Sequence, residues 1–124
     1  MTKGEIAKKN FESGMNCAQA VALAFKDEMG LGEEAIKKLI IGFGGGFARQ
    51  RLVCGAVSGM TMVLGYLKSD GENKLGAYEI VKNACEDVKA QIGSIICSEL
   101  MNENKIPCAE ICKIVADITA KHIN

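Results

Sequence analysis

The chain of 124 residues has the length of a single domain, and its 15 basic and 15 acidic residues cancel to a formal net charge of zero. A neutral balance provides no electrostatic footprint for nucleic acid and no polybasic segment for a membrane surface, so we expect neither partner. The first residues contain no apolar stretch that could act as a signal peptide. We therefore expect a cytoplasmic protein, in a reducing compartment where structural disulfides are rare.

Helix caps and apolar periodicity predict an α-helical N-terminal half. Thr2 and Glu5 have the spacing of a capping box ahead of a first helix. Asn16 is a suitable cap for a second helix, and Gly30 is a suitable stop for it. The apolar stripe of this second helix consists of Cys17, Val21, Phe25 and Met29.

Two apolar segments follow in the middle of the chain. The first predicts a short helix with an apolar face formed by Ile36, Leu39 and Ile40. The second, residues 52–67, contains no charged residue, and its sixteen residues fall short of the ~20 needed to span a bilayer. We expect it to form a central helix that is buried on all sides. Gly55 and Gly59, four positions apart, would let a neighbouring backbone approach this helix closely.

Two more helices are predicted after the turn-forming residues 69–73. The apolar seam of the first is Leu75, Tyr78, Val81, Cys85, Val88 and Ile92. Pro107 can begin the last helix, whose packing residues are Ile111, Cys112, Val115 and Ile118. No segment shows the alternation of a strand. The sequence therefore predicts one all-α, cysteine-rich domain over residues 1–124, a compact bundle of four to five helices around the central apolar helix.

The glycine-rich stretch at residues 42–51 has two interpretations. It lacks the last glycine of a dinucleotide-binding fingerprint and the Gly-Lys-Ser/Thr of a phosphate-binding loop, so a nucleotide site is not expected. It is either a connector rich in left-handed residues or a support for a negatively charged group, such as a thiolate or an anionic cluster beside Cys54. The residues of this supporting loop would be Gly44, Gly45, Gly46, Arg49 and Arg51.

Six cysteines and a single histidine limit the chemistry that the chain can support. One histidine is too few for a His-rich zinc centre, and no Ser/His/Asp set is present for hydrolysis. No Cys-x-x-Cys occurs, which excludes the thioredoxin motif and a zinc knuckle. Sulfur in this number serves as core packing, as a dithiol/disulfide pair, or as ligands for a soft metal or an iron–sulfur cluster.

Sequence context distinguishes the cysteines from one another. Cys85 lies on the apolar seam, where a cysteine acts as a small hydrophobic residue, so we expect it to be structural. Cys17 follows a helix cap and Cys54 follows two arginines, and both settings would lower the pKa of a thiol. Cys108 and Cys112 are four positions apart and share a helix face, which suits either two ligands of one metal or two core positions.

Four segments of the chain resemble the family of redox-active proteins named for the cysteine pattern C_GCAxxG_C_C. They are residues 16–21 (NCAQAV), 54–59 (CGAVSG), 97–100 (CSEL) and 112–117 (CKIVAD). The resemblance extends from about residue 11 to residue 118. The family name has a glycine before its second cysteine, whereas this chain has a glycine after Cys54, so the alignment rests on the cysteine and the Ala-x-x-Gly that follows it.

The resemblance implies a redox-active protein without specifying a substrate, and it leaves open whether the chain is an enzyme. The implied redox or ligand residues are Cys17, Cys54, Cys97 and Cys112, with Cys108 as an additional candidate. Our first interpretation is electron transfer through an iron–sulfur cluster held by these thiolates. The alternatives are a thiol–disulfide oxidoreductase that needs no cofactor and a helical module that binds structural zinc. A redox partner protein is expected, and a homodimer is compatible with the sequence.

Overall fold

The computed structural model describes residues 1–104 and 106–124, and the side chains of all of these except 103 and 104. Its helices are α1 (Lys3–Glu12), α2 (Cys17–Leu23), α3 (Lys26–Met29), α4 (Glu33–Ile40), α5 (Gly44–Phe47), α6 (Gly55–Lys68), α7 (Lys74–Ile92), α8 (Cys97–Glu99) and α9 (Cys108–Ile123). A 3-10 turn (Ile41–Phe43) precedes α5, and a π-helical turn (Leu100–Asn104) follows α8. The described ranges are all-α, as the apolar periodicity predicts.

The first two helices begin at the caps that the sequence indicates. The Thr2 hydroxyl accepts the Glu5 amide at 3.1 Å, and the Glu5 carboxylate accepts the Thr2 amide at the same distance. Asn16 and Gln19 form the same reciprocal pair at the start of α2. Each box provides acceptors for otherwise unpaired amides, and one such cap stabilises a helix by about 1 kcal/mol. Gly30 ends α3 with a left-handed φ of 66°.

Helix α6 packs against α2, α7 and α9, and α1 packs against α9 and α2. One face of α6 is fully buried, with Val57, Met60 and Leu64 at most 1% exposed. The opposite face is open to solvent, because Thr61 is exposed and Tyr66 retains 54% of its accessible surface. The expectation that this helix is buried on all sides is therefore wrong. Its uncharged sequence produces an apolar outer surface as well as a core face.

Gly55 and Gly59, in the first half of α6, lie where α2 approaches this helix closely. A Cβ atom on Gly59 would lie 2.8 Å from the Ala18 carbonyl oxygen and 3.3 Å from the Val21 Cβ. A Cβ atom on Gly55 would collide with the Cys17 sulfur. The predicted close approach is confirmed, and it places the first residue of α2 beside the first residue of α6.

The apolar seam predicted for α7 is correct only in its C-terminal half. The buried residues of this helix are Ala84, Val88 and Ile92. Leu75 and Tyr78, in its first turns, are 78% and 63% exposed. The prediction for α4 fails in the same way at one position, because Leu39 is 65% exposed while Ile36 and Ile40 are buried. In α9, by contrast, all four predicted packing residues are buried.

In the part of the chain that the structure describes, no helix combines the length and the apolar character required to cross a membrane.

Candidate functional site

A short antiparallel pairing joins the segment before α6 to the segment before α8. Val53 faces Ile96 in a single β-bridge. On either side of it, the amides of Cys54 and Cys97 donate to backbone carbonyls of the opposite segment at 2.8 and 2.6 Å. These bonds place two cysteines from distant parts of the sequence next to each other, each at the start of a helix.

The glycine-rich segment forms a left-handed turn over residues 45–49, which includes all of α5 after Gly44, and every φ in the turn lies between 55° and 75°. Left-handed backbone costs roughly 1–2 kcal/mol for each residue that has a Cβ. The carbonyls of Gly45 and Gly46 accept amides from residues 51 and 52 at 3.2 and 3.1 Å, which holds the turn closed. A Cβ on Gly46 would lie 2.9 Å from the Cys97 Cβ, so the turn packs directly against that cysteine. The interpretation of a connector rich in left-handed residues is confirmed.

These segments, together with α2 and α9, enclose a small cavity of about 50 Å³, which we call the thiol cavity. Four cysteines from four separate segments line it: Cys17, Cys54, Cys97 and Cys108. Leu100, Ile106 and Ile111 contribute apolar walls. Cys108 and the adjoining Met101 are exposed, so the cavity reaches the surface at this edge.

The remaining two cysteines lie outside the lining. Cys112 is fully buried one turn after Cys108 on α9, and its sulfur is 3.9 Å from the Cys17 carbonyl oxygen, behind the cavity wall. Cys85 is half-buried on α7, where it packs against the core. All six cysteines carry free thiols.

Arg51 brings a positive charge to the thiol cavity. Its Nη1 lies 3.7 Å from the Cys97 sulfur, at the distance of a hydrogen bond to sulfur. The thioether sulfur of Met101 also lies 3.9 Å from the Cys97 sulfur. Arg49 is exposed and is not among the residues that line the cavity. Of the two arginines suggested by the sequence, Arg51 is thus the one that reaches a sulfur.

Burial determines the acidity of the inner thiols. Burial, with a smaller contribution from negative charge on Cys17, raises the pKa of Cys54 to about 12. The expectation that the neighbouring arginines lower the pKa of Cys54 is wrong, because loss of solvent around a thiolate is the larger effect. Burial also raises the pKa of Cys112 and of Cys108. At neutral pH these sulfurs are thiols unless a cation replaces the proton.

The residues around the cavity provide soft sulfur donors alone. Such donors suit zinc, copper(I) and iron–sulfur clusters. Across residues 1–104 and 106–124, no three Cys, His, Asp or Glu side chains are placed to hold a single metal ion. A cluster distributes its ligands over several iron atoms, so its thiolates need not converge on one point. By donor type, the cavity fits a cluster as it fits zinc or copper(I).

Sequence reasoning placed Cys112 ahead of Cys108 among the candidate ligands, whereas the structure places Cys108 in the lining and Cys112 behind it. The sequence contains a signal for this arrangement. Cys112 lies within the apolar run of α9 beside Ile111, while Cys108 directly follows Pro107 in the first turn, where a helix adjoins a loop. Met101 was missed, because nothing in the sequence links an isolated methionine to a cysteine site.

No curated protein and no solved structure matches this chain. A family model described as "Putative redox-active protein (C_GCAxxG_C_C)" matches residues 15–122, a range that includes all six cysteines. The match confirms the resemblance inferred from the four cysteine segments, and the chain belongs to this family.

Proposed function

We propose that the protein transfers electrons through an iron–sulfur cluster bound at the thiol cavity. The observation that carries the proposal is that four cysteines from four separate segments line one apolar cavity. The ligands would be Cys17, Cys54, Cys97 and Cys108. When bound, such a cluster takes up and releases electrons at a potential set by its charge, by hydrogen bonds to its sulfurs and by solvent exposure.

The surrounding residues have distinct roles in this proposal. Leu100, Ile106 and Ile111 exclude water from the sulfurs. Because the dielectric constant is then low, each charge near the cluster has a larger effect on its energy than it would have in water. Arg51 offsets negative charge at the Cys97 sulfur. The exposed edge at Met101 is where a redox partner protein would approach most closely. We place the protein in the cytoplasm, where a reducing environment keeps its thiols free.

Binding of iron or of a cluster by the thiols of this cavity must release protons. The pKa of Cys54 is raised to about 12, so at neutral pH its sulfur carries a proton that a metal ligand cannot keep. Affinity for iron should therefore increase as the pH rises.

A second candidate is thiol–disulfide exchange without a cofactor. The observation in its favour is that the exposed Cys108 lies close enough to Cys17 and Cys97 for their charges to influence its pKa. Against it, the raised pKa of Cys108 leaves little thiolate to attack a disulfide at neutral pH. A structural zinc site is the third candidate, because zinc also accepts sulfur donors. Against it, the described residues place no three such ligands around a single ion.

The deciding experiment is anaerobic reconstitution of the purified protein with ferrous iron and sulfide. We expect a brown protein that contains iron and sulfide in stoichiometric amounts and that is bleached reversibly by dithionite. A colourless protein that loses two free thiols on mild oxidation would instead support thiol–disulfide exchange. A colourless protein that contains one zinc per chain would support the structural module.

Single cysteine variants identify the ligands. Cys17→Ala, Cys54→Ala and Cys97→Ala should each lower the iron content, whereas Cys85→Ala is the matched control that should retain it. Comparing Cys108→Ala with Cys112→Ala decides which of the two is the fourth ligand. The geometry predicts that only the Cys108 variant loses iron.

A further inference from the structure

A wide concave surface lies on the outer side of α6, apart from the thiol cavity. We call it the outer groove, and it has a volume of about 590 Å³. One wall comes from α4, the 3-10 turn and α5, and the other comes from α6. Ser58 and Thr61 add two hydroxyls, and none of the lining residues that the structure describes is charged. The apolar lining consists of Leu39, Ile40, Phe43, Phe47, Val53 and Met62.

The outer groove leaves large apolar side chains open to solvent. On the wall formed by α4 and α5, Leu39 is 65% exposed and Phe47 is 48% exposed. On α6, Tyr66 follows Met62 by one turn and is 54% exposed. A soluble monomer rarely exposes a contiguous apolar patch of more than a few hundred Å² unless the patch binds something. These residues therefore indicate a docking surface.

Phe47 occupies its place at the groove at a conformational cost. Its φ is 67°, in the left-handed region that a residue with a Cβ adopts only when its surroundings enforce it. Its ring packs edge to face against Phe43, with the ring centroids 5.1 Å apart. Contacts within one chain nevertheless leave nearly half of Phe47 exposed. The strained backbone thus presents an aromatic ring to a surface that one chain does not supply.

We propose that the outer groove is where a second copy of this chain docks, forming a homodimer with two-fold symmetry. In such a dimer the same patch of both copies meets itself, so the patch must contain both a hollow and the groups that fill it. The groove is the hollow, and the exposed Leu39 and Phe47 beside it are the groups. Each copy would therefore bury its leucine and phenylalanine in the groove of the other.

The exposed area matches what a small dimer needs. A large side chain that is fully accessible presents roughly 150–250 Å², so Leu39, Phe47 and Tyr66 together leave roughly 250–400 Å² open. With the partly buried lining residues, each copy would contribute on the order of 600 Å². A specific interface buries about 1,200–2,000 Å² over both partners, so this one lies at the lower limit. We therefore expect a dissociation constant of roughly 1–10 μM.

The position of the groove favours a second copy over an electron-transfer partner, which must come close to the sulfurs. The outer groove and the thiol cavity share no lining residue. Val53 and Cys54 are neighbours in the segment that forms the β-bridge, and one lines the groove while the other lines the cavity. Permanent dimers also have more apolar interfaces than transient partners do. A dimer formed here leaves the exposed edge at Met101 free.

Sedimentation equilibrium of the metal-free protein tests the proposal, with a reductant present so that no disulfide links two chains. The wild type should have twice the mass of one chain at about 100 μM and should dissociate on dilution towards about 1 μM. Leu39→Glu would place two unpaired carboxylates in the interface and should weaken association at least about 100-fold. Leu75→Glu is the matched control, because Leu75 is 78% exposed and does not line the groove, so association should be unchanged.

Phe47→Asn is a second variant that spares the backbone, because asparagine tolerates a left-handed φ better than most residues. It should weaken association at least about tenfold while the far-UV circular dichroism spectrum stays that of the wild type. A wild type that is monomeric at about 100 μM would overturn the inference, whatever else binds to the groove. Equal weakening by Leu39→Glu and Leu75→Glu would overturn it as well, and so would unchanged association in both Leu39→Glu and Phe47→Asn.

Amide hydrogen exchange locates the interface directly. Peptides that cover residues 39–47 and 58–66 should exchange more slowly in the dimer than in the Leu39→Glu monomer. Protection confined to other parts of the chain would assign the dimer to another face and reject the inference. The inference does not rest on the proposed function. A protein that dimerises but binds no iron loses only the proposed function, and a monomer that binds iron loses only the dimer.

Discussion

Replacement of Gly59 by alanine tests the contact that joins α2 to α6. The new methyl group would lie 2.8 Å from the Ala18 carbonyl oxygen, closer than a Cβ approaches a backbone atom, so the two helices must separate. Overpacking of this kind costs about 1–3 kcal/mol. The alanine also removes the helix penalty of glycine, about 1 kcal/mol, which would conceal part of that cost.

Gly65→Ala is the matched control, because Gly65 lies in the same helix and a Cβ there meets nothing within 4 Å. The gain in helix propensity is common to both variants and cancels in their difference. We therefore expect Gly59→Ala to be about 1–3 kcal/mol less stable than Gly65→Ala. Urea denaturation followed by far-UV circular dichroism measures both free energies of unfolding. Equal stability of the two variants would refute the close approach of α2 and α6.

Three further predictions concern stability. Burial raises the pKa of Cys54 from its usual 9.0 to about 12, so the unfolded chain ionises first as the pH rises. The stability contributed by this neutral thiol should be intact below pH 9 and be lost between about pH 9 and pH 12, so the urea midpoint should fall over that interval; a decline just as steep in Cys54→Ala would contradict this cause. Cys85→Ala should lower the free energy of unfolding by about 1 kcal/mol and leave the iron content intact, whereas loss of iron would assign Cys85 to the site. Asp117→Ala removes the carboxylate that accepts the Gly4 amide at 2.7 Å between α1 and α9, and thermal denaturation should show a loss of about 1 kcal/mol.

The features that could be predicted from the sequence are local. The capping residues Thr2 and Asn16 make bonds with partners three positions away, so their geometry follows from a few consecutive residues. The buried face of α9 follows equally from its helical spacing. The exposed Leu75 and Tyr78 show the limit of this method, since periodicity identifies an apolar stripe but not how far the neighbouring helices extend along it.

The arrangement of the site could not be predicted, because it depends on contacts between distant segments. The bridge between Val53 and Ile96 involves one residue pair, which leaves no alternating pattern in either segment. The left-handed turn was predictable at Gly45 and Gly46, but its extension through residues 47–49 contradicts the local preference of residues that have a Cβ. For the same reason the sequence could not choose between Arg49 and Arg51.

The contact between α2 and α9 has a consequence for biosynthesis. The sulfur of Cys112 lies against the carbonyl of Cys17, a residue that precedes it by 95 positions. At the usual rate of translation, the wall of the cavity formed by α9 leaves the ribosome roughly 5–20 seconds after Cys17. During that interval α9 is not yet available to shield Cys17 and Cys54. The nascent chain therefore depends on cellular reductants to keep both thiols unoxidised. Expression under oxidising conditions should therefore trap incomplete chains as disulfides before the cavity can close.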